Sequence, residues 1–440
     1  MTRPRTIVFF PEAAFGPALN CVGIAQACRD LGHRPVFFAD PSFAGVFAKY
    51  GFEERLVAMS EPMDALQASQ FWKDFVRSHL PHFRLSPIEQ LATYVVPVWE
   101  AVVDSAVYVE RELARALQEF SPDLIAVDNI ILFPAIKKAG CPWIRIISCS
   151  ENEIPDADIP PHLSGCGQDD RGCREAFEAE FHRLIKPCHD RFNAFLASVD
   201  HPSYPLGQFF EPSPDLNLLL YPRPLAFRRR HPLDPERFQY LEGCVRSEGE
   251  YEVPRFSLHG DRPLIYVSFG SLGAADVDLF KRLIDLFGRL PYRVLISVGD
   301  YRDAYTDVPG NVRIESFFPQ PAVLPHCDLV VHHGGNNTFN EALYFGKPSL
   351  ILPFCWDGLD NATRIHETGY GLRLPRYTWT DAELISALER LLADGAMHRR
   401  LTDVSAHMQA ADGRRKAARL IDRLLRPEGV PPCRMTSHES

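Results

Sequence analysis

The sequence has no long apolar run of the kind that crosses a membrane. A transmembrane helix needs about eighteen or more consecutive apolar residues, and no stretch of this chain approaches that length. Near the N-terminus, the apolar run at residues 6–10 stops at Pro11 and Glu12 and is too short for a secretory signal. We therefore expect a cytoplasmic protein with no integral membrane association.

The chain also has no excess of basic residues. It holds 47 Lys and Arg against 57 Asp and Glu, which gives a formal net charge of −10. No strongly basic block offsets this charge locally, so nucleic acid is not expected as the main partner. The length of 440 residues is enough for two or three domains with sizeable cores.

The 11 cysteines include no C-x-x-C pair. Their odd number and their spread from Cys21 to Cys433 are typical of reduced thiols in a cytosolic protein. The cluster with the most metal-ligand character consists of Cys166, Cys173, His182, Cys188 and His189. Its gaps are irregular, whereas a zinc site has paired ligands at short, regular gaps. We expect a helical insertion that carries these residues, and no metal.

Two common nucleotide-binding signatures are missing. The chain has no Walker motif with its lysine, and no G-x-G-x-x-G motif follows the first apolar run. ATP hydrolysis by a P-loop and NAD chemistry on a dinucleotide fingerprint therefore lack their sequence marks.

What the chain does contain is two sets of short apolar runs rich in Val, Ile and Phe. The first set lies at residues 6–10, 34–40, 123–128, 143–148 and 216–221, and the second at 264–270, 293–299, 312–317, 329–333 and 349–354. Near-continuous hydrophobicity is typical of parallel strands buried on both faces. Helical patterns separate the runs, so we predict an α/β protein with two Rossmann-like, doubly wound parallel-sheet domains that face across a cleft.

The composition also predicts the domain boundaries. A charged stretch with Gly and Pro separates the two sets and is interpreted as a linker. The predicted units are a first domain at 1–243, the linker at 244–262, a second domain at 263–410, a C-terminal helix at 411–426 and a flexible tail at 427–440. We expect the C-terminal helix to pack back on the first domain through its apolar stripe.

Polar or small residues follow the predicted strands of the second domain. Gly270 and Ser271 form a turn whose amides and hydroxyl could face a phosphate, although such turns are also common without a ligand. Phe317 and Gln320 offer an aromatic face for a base and an amide for a sugar hydroxyl. The alternative for these two is a proline-bounded turn with packed aromatics.

The segment "HHGGNNT" follows the apolar run "DLVV" and leads into a helical pattern. It places His333, Gly335, Asn337 and Thr338 at a predicted helix N-terminus, where free backbone N–H groups bind anions. Glu341 lies three residues after Thr338, so a capping box is its structural alternative. Asp357 comes after the next run and could accept hydrogen bonds from a sugar. Together these residues predict a nucleotide-sugar site.

Residues 316–362, which contain all of these residues except Gly270 and Ser271, resemble the donor-binding signature of the family-1, UDP-dependent glycosyltransferases of the GT-B fold, especially the bacterial natural-product enzymes. The resemblance implies that Phe317 stacks on the base, Gln320 lies beside the nucleoside and His333 contacts the diphosphate. It implies that Glu341 holds the ribose hydroxyls and Asp357 the donor sugar. The residues implied to line the phosphates are Gly335, Asn337 and Thr338.

Three positions depart from the family pattern. The family commonly has Gln where this chain has Gly358, and plant members commonly have Trp at the position of Asn336. The resemblance implies that both positions face the sugar, so the donor sugar is left open. Phe317 stands where Trp is frequent, which leaves UDP and dTDP both possible.

The family's catalytic base is missing. Its histidine lies in the loop after the first strand, and the matching position here falls on or beside Pro17. The resemblance supplies Asp128 at the end of a later strand, and Glu12 at the end of the first strand is the other candidate. Burial beside an apolar cleft should raise a carboxyl pKa toward useful values. The alternatives are a helix N-cap for Asp128 and a solvated loop acid for Glu12.

The expected function is transfer of a hexose from a UDP- or dTDP-sugar to a hydroxyl of a small, partly apolar, phenolic or natural-product acceptor. The resemblance implies inversion at the anomeric carbon, with the nucleotide sugar as co-substrate and no other cofactor. A monomer or a homodimer is expected. The alternatives are a GT-B protein that binds nucleotide sugars with weak catalysis and a GT-B epimerase.

Overall fold

The structure, a computed structural model, describes residues 3–61, 70, 74–258 and 260–426. The first sheet has seven parallel strands in the order β3-β2-β1-β4-β5-β6-β7. Their bounds are β1 Thr6–Pro11, β2 Arg34–Ala39, β3 Glu53–Leu56, β4 Leu124–Asp128, β5 Trp143–Ile147, β6 Leu216–Leu219 and β7 Phe238–Tyr240. The predicted tail at 427–440 lies outside the described residues.

The second sheet has six parallel strands in the order β10-β9-β8-β11-β12-β13. Their bounds are β8 Leu264–Ser268, β9 Arg293–Ser297, β10 Val312–Glu315, β11 Leu329–His332, β12 Ser349–Ile351 and β13 Gly371–Arg373. In each sheet the chain order reverses beside a central strand, which is the arrangement that leaves a crevice at the carboxyl ends. The predicted pair of doubly wound parallel sheets is confirmed.

Helices cover both sheets. In the first half they are α1 Phe15–Asp30, α2 Pro87–Gln90, α3 Val96–Phe120, α4 Pro134–Lys137 and α5 Arg171–Ser198. In the second half they are α6 Gly270–Gly273, α7 Val277–Gly288, α8 Gln320–Val323, α9 Asn336–Tyr344, α10 Asp357–Thr368, α11 Asp381–Ala393, α12 Gly395–Ala411 and α13 Gly413–Leu424. Among the described residues, none of the helices has the length and apolarity that a membrane span requires.

The strands form because their residues are apolar on both faces. Every residue of β4, β8 and β11 is buried, and in β1 only the first residue, Thr6, is half-buried. Helices on either side take up this surface; α7, for example, buries Leu279, Phe280, Leu283 and Phe287 against the second sheet. Since such strands lack a solvated face, their polar residues fall at the strand ends.

The last helix crosses to the first half of the molecule. Asp412 adopts a left-handed backbone with φ of 44° and turns the chain between α12 and α13. A Cβ on Gly413 would collide with the backbone carbonyls of Leu241 and Gly243, so the crossing requires glycine there. Ala417 and Ile421 of α13 are then buried in the same core as the inner face of α1.

One expectation about the cysteines was wrong. Cys166 and Cys173 form a disulfide with their Cα atoms 5.8 Å apart. The loop before α5 folds back on the first turn of that helix, and this brings the two sulfurs together. The free cysteines among the described residues are Cys21, Cys28, Cys141, Cys149, Cys188, Cys244, Cys327 and Cys355. The described residues contain no group of three or more His, Cys, Asp or Glu arranged for a metal.

Candidate functional site

The carboxyl ends of the two sheets face each other, and the predicted donor helix α9 joins them. Asn336, at the start of α9, donates from Nδ2 to the carbonyls of Ser148 at 2.8 Å and Leu220 at 2.9 Å. Asn337 donates to the carbonyl of Gly16 at 3.1 Å. The turn after β11 therefore lies directly against loops that follow strands of the first sheet, and both sets of predicted site residues share one cleft.

His333 sits between two glycines that the sequence analysis selected. A Cβ on Gly270 would lie 2.9 Å from Cε1 of the His333 ring, and a Cβ on Gly335 would collide with the same ring. Gly270 also has a φ of 68°, which favours glycine. The imidazole is thus held by close backbone contact at the N-terminus of α9, where an anion is expected to bind.

His333 is neutral in the free protein, unlike a cationic side chain that binds phosphate. Burial, and after it the nearby cation of Arg376, lowers the pKa of His333 to about 4. The ring is therefore neutral at pH 7 and offers one N–H donor. A neutral ring would contact a diphosphate as a hydrogen-bond donor and would not neutralise its charge.

Gln320, Thr338 and Glu341 lie together beside α9. Gln320 Nε2 is 3.2 Å from Thr338 Oγ1 and also donates to Oε2 of Glu341. The helix starts at Asn336 with Gly335 as its N-cap, so Thr338 and Glu341 do not form a capping box. Glu341 instead accepts a hydrogen bond from Nη1 of Arg246 at 2.9 Å, and burial, partly offset by Arg246, raises the pKa of Glu341.

Asp357 begins α10 and faces the same cleft. One of its oxygens accepts the backbone N–H of Asn336 at 2.9 Å. Burial raises its pKa to about 7, and the negative charges of Asp360 and Glu153 add to the rise although the hydrogen bonds oppose it. Asp360, one turn later, accepts the backbone N–H groups of Leu163 at 2.7 Å and Gly165 at 2.9 Å. The helix with the predicted sugar ligand is thus bonded to the segment that immediately precedes the disulfide at Cys166.

The structure shows the surroundings of two of the three departures from the family pattern, Gly358 and Asn336. A Cβ on Gly358 would lie 2.5 Å from the His333 carbonyl, because the start of α10 presses against the turn before α9. Any side chain there requires the backbone to shift. Asn336 is 3% exposed, and its amide bonds to the first domain. The expectation that its side chain faces the sugar is wrong.

Asp128 lies at the end of β4 and is 3% exposed. It accepts a hydrogen bond from Ser148 Oγ at 2.7 Å, and Cys21 Sγ lies 3.8 Å from its other oxygen. Burial raises its pKa well above the usual range. The next helix starts only at Pro134, so the N-cap alternative does not apply. A buried, protonated carboxyl is poorly placed to take a proton from a substrate.

Glu12 is the more accessible carboxylate. Its backbone N–H donates to the Asp128 carbonyl at 2.7 Å, which holds it just beyond β1. The side chain is partly buried, and no described residue donates a hydrogen bond to it. Burial, with Glu153 and Asp357 as further causes, raises its pKa to about 7. It is therefore not a freely solvated loop acid, and it lies close enough to Asp357 for the two charges to interact.

Two predicted residues lie at the rim. Phe317 follows β10 and is 64% exposed, while Ser271 is exposed on α6. The positions of Phe317 and Ser271 are compatible with a base-stacking face and a phosphate-binding turn at the mouth of the cleft.

Pro17, at the family's histidine position, lies inside the first turn of α1, and its side chain carries no proton acceptor.

Sequence reasoning missed several residues of the cleft. Arg376 is 3% exposed and pairs with Asp276 at 3.3 Å, close to His333. Arg145 forms an ion pair with Glu153 next to the carboxylates. Arg246 belongs to the segment interpreted as linker. None of these has a local motif, and only the fold brings them to the site.

The chain is similar in sequence to known proteins over most of its length. Residues 281–419 match the family described as the erythromycin biosynthesis protein CIII-like, C-terminal domain. The NDP-glycosyltransferase YjiC of Bacillus subtilis (strain 168) is 28% identical over 423 residues, which cover 95% of this chain and 97% of that protein. The demethyllactenocin mycarosyltransferase of Streptomyces fradiae is 27% identical, with 97% of this chain and 87% of that protein covered.

The chain is a relative of the family-1 glycosyltransferases. Its fold is GT-B: the crystal structure of the glycotransferase of kitacinnamycin superposes with a TM-score of 0.72, at 24% identity, over 97% of this chain and 100% of that chain. The glycosyltransferase VinC in complex with dTDP gives a TM-score of 0.65 at 20% identity, over 95% of this chain and 99% of that chain. The resemblance that residues 316–362 indicated is confirmed.

Proposed function

We propose that this GT-B protein is a glycosyltransferase that moves a hexose from a UDP- or dTDP-sugar to a hydroxyl of a small, partly apolar, phenolic or natural-product acceptor. One observation carries the proposal. The anion-binding turn of the second sheet and a carboxylate of the first sheet with a pKa of about 7 meet in a single cleft. The relatives named as an NDP-glycosyltransferase and a demethyllactenocin mycarosyltransferase support the same reaction class.

The second domain would hold the donor. Backbone N–H groups at the N-terminus of α9 and the N–H of His333 bind the diphosphate, and Thr338 lies within reach of the same oxygens. Glu341 takes ribose hydroxyls, Phe317 stacks on the base and Asp357 accepts hydrogen bonds from the sugar. Donors already fixed at the position of the leaving group stabilise its developing charge without reorganisation.

The first domain would supply the base, and we place this role at Glu12. The acceptor oxygen forms a bond to the anomeric carbon while the bond from that carbon to the diphosphate oxygen breaks on the opposite face, with inversion. The acceptor proton passes to the Glu12 carboxylate. A general base is most effective when its pKa lies near the working pH, and the pKa of about 7 of Glu12 meets this condition at neutral pH. Asp128 is the second candidate, because its greater burial and its bond to Ser148 fit a supporting role better.

Apolar surface next to Glu12 fits an apolar acceptor. Phe15 starts α1 three residues later, is 53% exposed and contacts the ring of Phe43. An exposed aromatic side chain beside the base would bind the ring or the hydrocarbon part of the acceptor. The proposal includes a cytoplasmic location and a monomer or homodimer. It includes no cofactor other than the nucleotide sugar.

A binding panel followed by an activity assay tests the proposal. UDP and dTDP should raise the melting temperature of the protein, while inorganic phosphate at equal concentration should not. UDP- and dTDP-hexoses are then incubated with a mixture of phenols and macrolide aglycones, and mass spectrometry should detect an acceptor that has gained one hexose. Failure of every nucleoside diphosphate to bind the folded protein would contradict the proposal.

The same assay tests two other functions. Pro17 at the family's histidine position favours a protein that binds nucleotide sugars with weak catalysis. Carboxylates from both domains, Glu12 and Asp357, favour an epimerase that needs acids on both sides of the sugar. Tight donor binding without transfer would support the first, and conversion of the nucleotide sugar alone into its epimer would support the second.

A further inference from the structure

Trp356 has a backbone conformation that a large side chain rarely adopts. It directly precedes α10, with a φ of 55° and a ψ of −150°. At these angles a Cβ crowds the backbone, so this region is populated almost entirely by glycine. A glycine would fit the turn without strain, whereas this chain has a tryptophan there. The cost of the conformation has to be offset by what the indole contacts, and such strained positions are concentrated at functional sites.

The turn directs the indole to the first domain. The ring of Trp356 lies against the ring of Tyr94, with centroids 6.2 Å apart and planes at 74°. Two more contacts hold the turn in this position. Gln90 donates from Nε2 to the carbonyl of Phe354 at 2.9 Å, and the ring of Phe354 lies 4.8 Å from that of Phe83. The indole is therefore a second-domain side chain on the first-domain side of the cleft.

The indole also lies near both carboxyls of the proposed reaction centre. Asp357 is the next residue in the chain. The pKa of Tyr94 is raised by burial first, then by Cys355, and also by the charges of Glu12 and Asp357. Charges have this influence only over short distances. Tyr94, and Trp356 against it, thus lie close to the point where an acceptor hydroxyl would meet Glu12.

Trp356 keeps access to the cleft. Of residues 354–358, only Trp356 and Asp357 are half-buried, and the other three are buried. On the other side of the cleft, Phe15 near Glu12 is 53% exposed. Each domain thus places a partly open aromatic ring beside a carboxyl of the site. An aromatic face of this kind is a surface on which a planar ring stacks.

We infer that Trp356 is a specificity-determining residue of the acceptor site, whose indole stacks on planar aromatic acceptors and favours them over saturated acceptors of the same skeleton. The inference rests on the proposed transferase function and names the class of its acceptor. Two aromatic rings gain from offset-stacked or edge-to-face contact beyond the area that they bury, and a saturated ring has no π system for this gain. The donor domain thereby takes part in acceptor recognition.

Two alcohols isolate this effect, 2-naphthalenemethanol and decahydro-2-naphthalenemethanol. They share a carbon skeleton and a primary hydroxyl, and they differ in planarity and π electrons. Calorimetry on the wild-type protein saturated with UDP or dTDP should show tighter binding of the naphthalene compound. In Trp356→Leu the ratio of the two affinities should fall by about three- to tenfold, the size of one aromatic contact. Trp356→Phe keeps a smaller ring and should lose less.

Tyr108→Leu is the matched control. Tyr108 is an aromatic residue of α3 that is 41% exposed and has no part in the proposed site, so the affinity ratio should keep its wild-type value. Circular dichroism establishes that each variant is folded. Trp356→Gly removes the ring and suits the backbone, so it carries the test if Trp356→Leu does not fold. A purely structural indole would change both affinities by the same factor and leave their ratio unchanged.

The outcomes separate the inference from the proposed function. A wild-type protein that binds a nucleotide but prefers the saturated alcohol, or binds neither alcohol, would overturn the inference alone. So would an affinity ratio that neither Trp356→Leu nor Trp356→Gly changes. If the folded wild-type protein bound no nucleoside diphosphate, the proposed function itself would fail and the inference with it.

Discussion

The two walls of the cleft are built in different ways. On the second domain, the predicted donor ligands come from one continuous segment, residues 316–362, with Gly270 beside it, and close contact with the backbone of Gly270 and Gly335 holds His333 at the start of α9. On the first domain, Glu12, Asp128 and Ser148 are far apart in sequence and meet only through β1, β4 and β5. Phosphate binding can be encoded locally, whereas a base depends on surroundings that the whole fold supplies.

The two walls share one electrostatic property. Burial lowers the pKa of His333 to about 4 on the donor side and raises the pKa of Glu12 to about 7 on the acceptor side. In both cases desolvation disfavours the charged form. His333 is thus neutral at pH 7 and offers a hydrogen-bond donor, while the carboxyls of Glu12 on the first domain and Asp357 on the second lie close to half-protonation. A neutral donor suits an anionic leaving group, and a carboxyl near half-protonation suits proton transfer.

The largest expected effect is loss of the base. Glu12→Gln should reduce kcat by about 10²–10⁴-fold, because general-base assistance contributes that much, and should leave nucleotide affinity unchanged. The loss should shrink with more acidic phenols, which need less help to release a proton. Steady-state kinetics with a series of phenols measures both effects.

Asp128→Asn is the matched comparison for that variant. It removes a carboxylate that is almost fully buried, and we expect a smaller reduction of kcat than in Glu12→Gln. If Asp128→Asn abolished turnover while Glu12→Gln kept near-normal rates, the two roles would be exchanged and the first choice from the family resemblance would be restored.

The next effect concerns the donor wall. His333→Ala should weaken binding of UDP and of dTDP by about 1.5–3 kcal/mol, the value of a hydrogen bond to a charged group, or about 10- to 150-fold in Kd. The affinities for UDP and dTDP should fall by the same factor, because the proposed contact of the His333 ring is to phosphate and not to the base. Calorimetry measures the change, with the exposed His326→Ala as control; equal affinities in wild type and His333→Ala would remove this residue from the site.

A stability effect of similar or smaller size should mark the contact between the donor turn and α10. Gly358→Ala introduces a Cβ 2.5 Å from the His333 carbonyl, and overpacking of this kind costs about 1–3 kcal/mol. Thermal unfolding should show a lower melting temperature. Gly249→Ala is the control, since nothing lies within 4 Å of its Cβ position. If Gly358→Ala had the melting temperature of the wild type, the turn could shift to accommodate the added methyl group without a loss of stability, and the prediction would be wrong.

The smallest effect is the pH dependence of stability. The folded-state pKa values of Glu12 and Asp357, about 7, and of Asp360, about 6, lie above the usual values of these carboxyls. Their contribution to stability is complete below the unfolded pKa and is lost as the pH rises through about 6–7. The melting temperature of the nucleotide-free wild type, measured relative to that of Glu12→Gln, should therefore fall by a few degrees between pH 5 and pH 8. The comparison between the two proteins cancels the opposite slope of buried histidines such as His333, whose lowered pKa makes stability rise with pH. Equal slopes in the two proteins would mean that the Glu12 carboxyl titrates normally.

Short-range sequence patterns were sufficient to predict much of the fold and of the second-domain side of the cleft. The double set of apolar runs predicted both parallel sheets, because strands buried on two faces leave a continuous apolar run in the sequence. The turn at residues 332–338 predicted the helix N-terminus at α9, because glycines before a helical pattern have a local conformational meaning.

Other features had no local signal. The Cys166–Cys173 disulfide depends on how the loop returns to α5, and its sequence spacing alone did not distinguish it from free thiols. The exclusion of a capping box for Glu341 depends on the exact start of α9, and its pairing with Arg246 joins residues 95 positions apart. The first choice between Asp128 and Glu12 followed a family position, while the difference in their exposure is a property of the folded cleft.

The amino-acid order alone thus determines the sheet architecture, the glycine-containing turn before α9 and the absence of a proton acceptor at Pro17, since each depends on residues within one turn or one strand. The protonation states of His333 and Glu12, the anchoring of Asn336 to the first domain and the ion pair between Arg246 and Glu341 arise from packing between distant segments. Desolvation and ion pairing act over a few ångströms of space, and the distance between two residues in space is set by the fold and not by their separation along the chain.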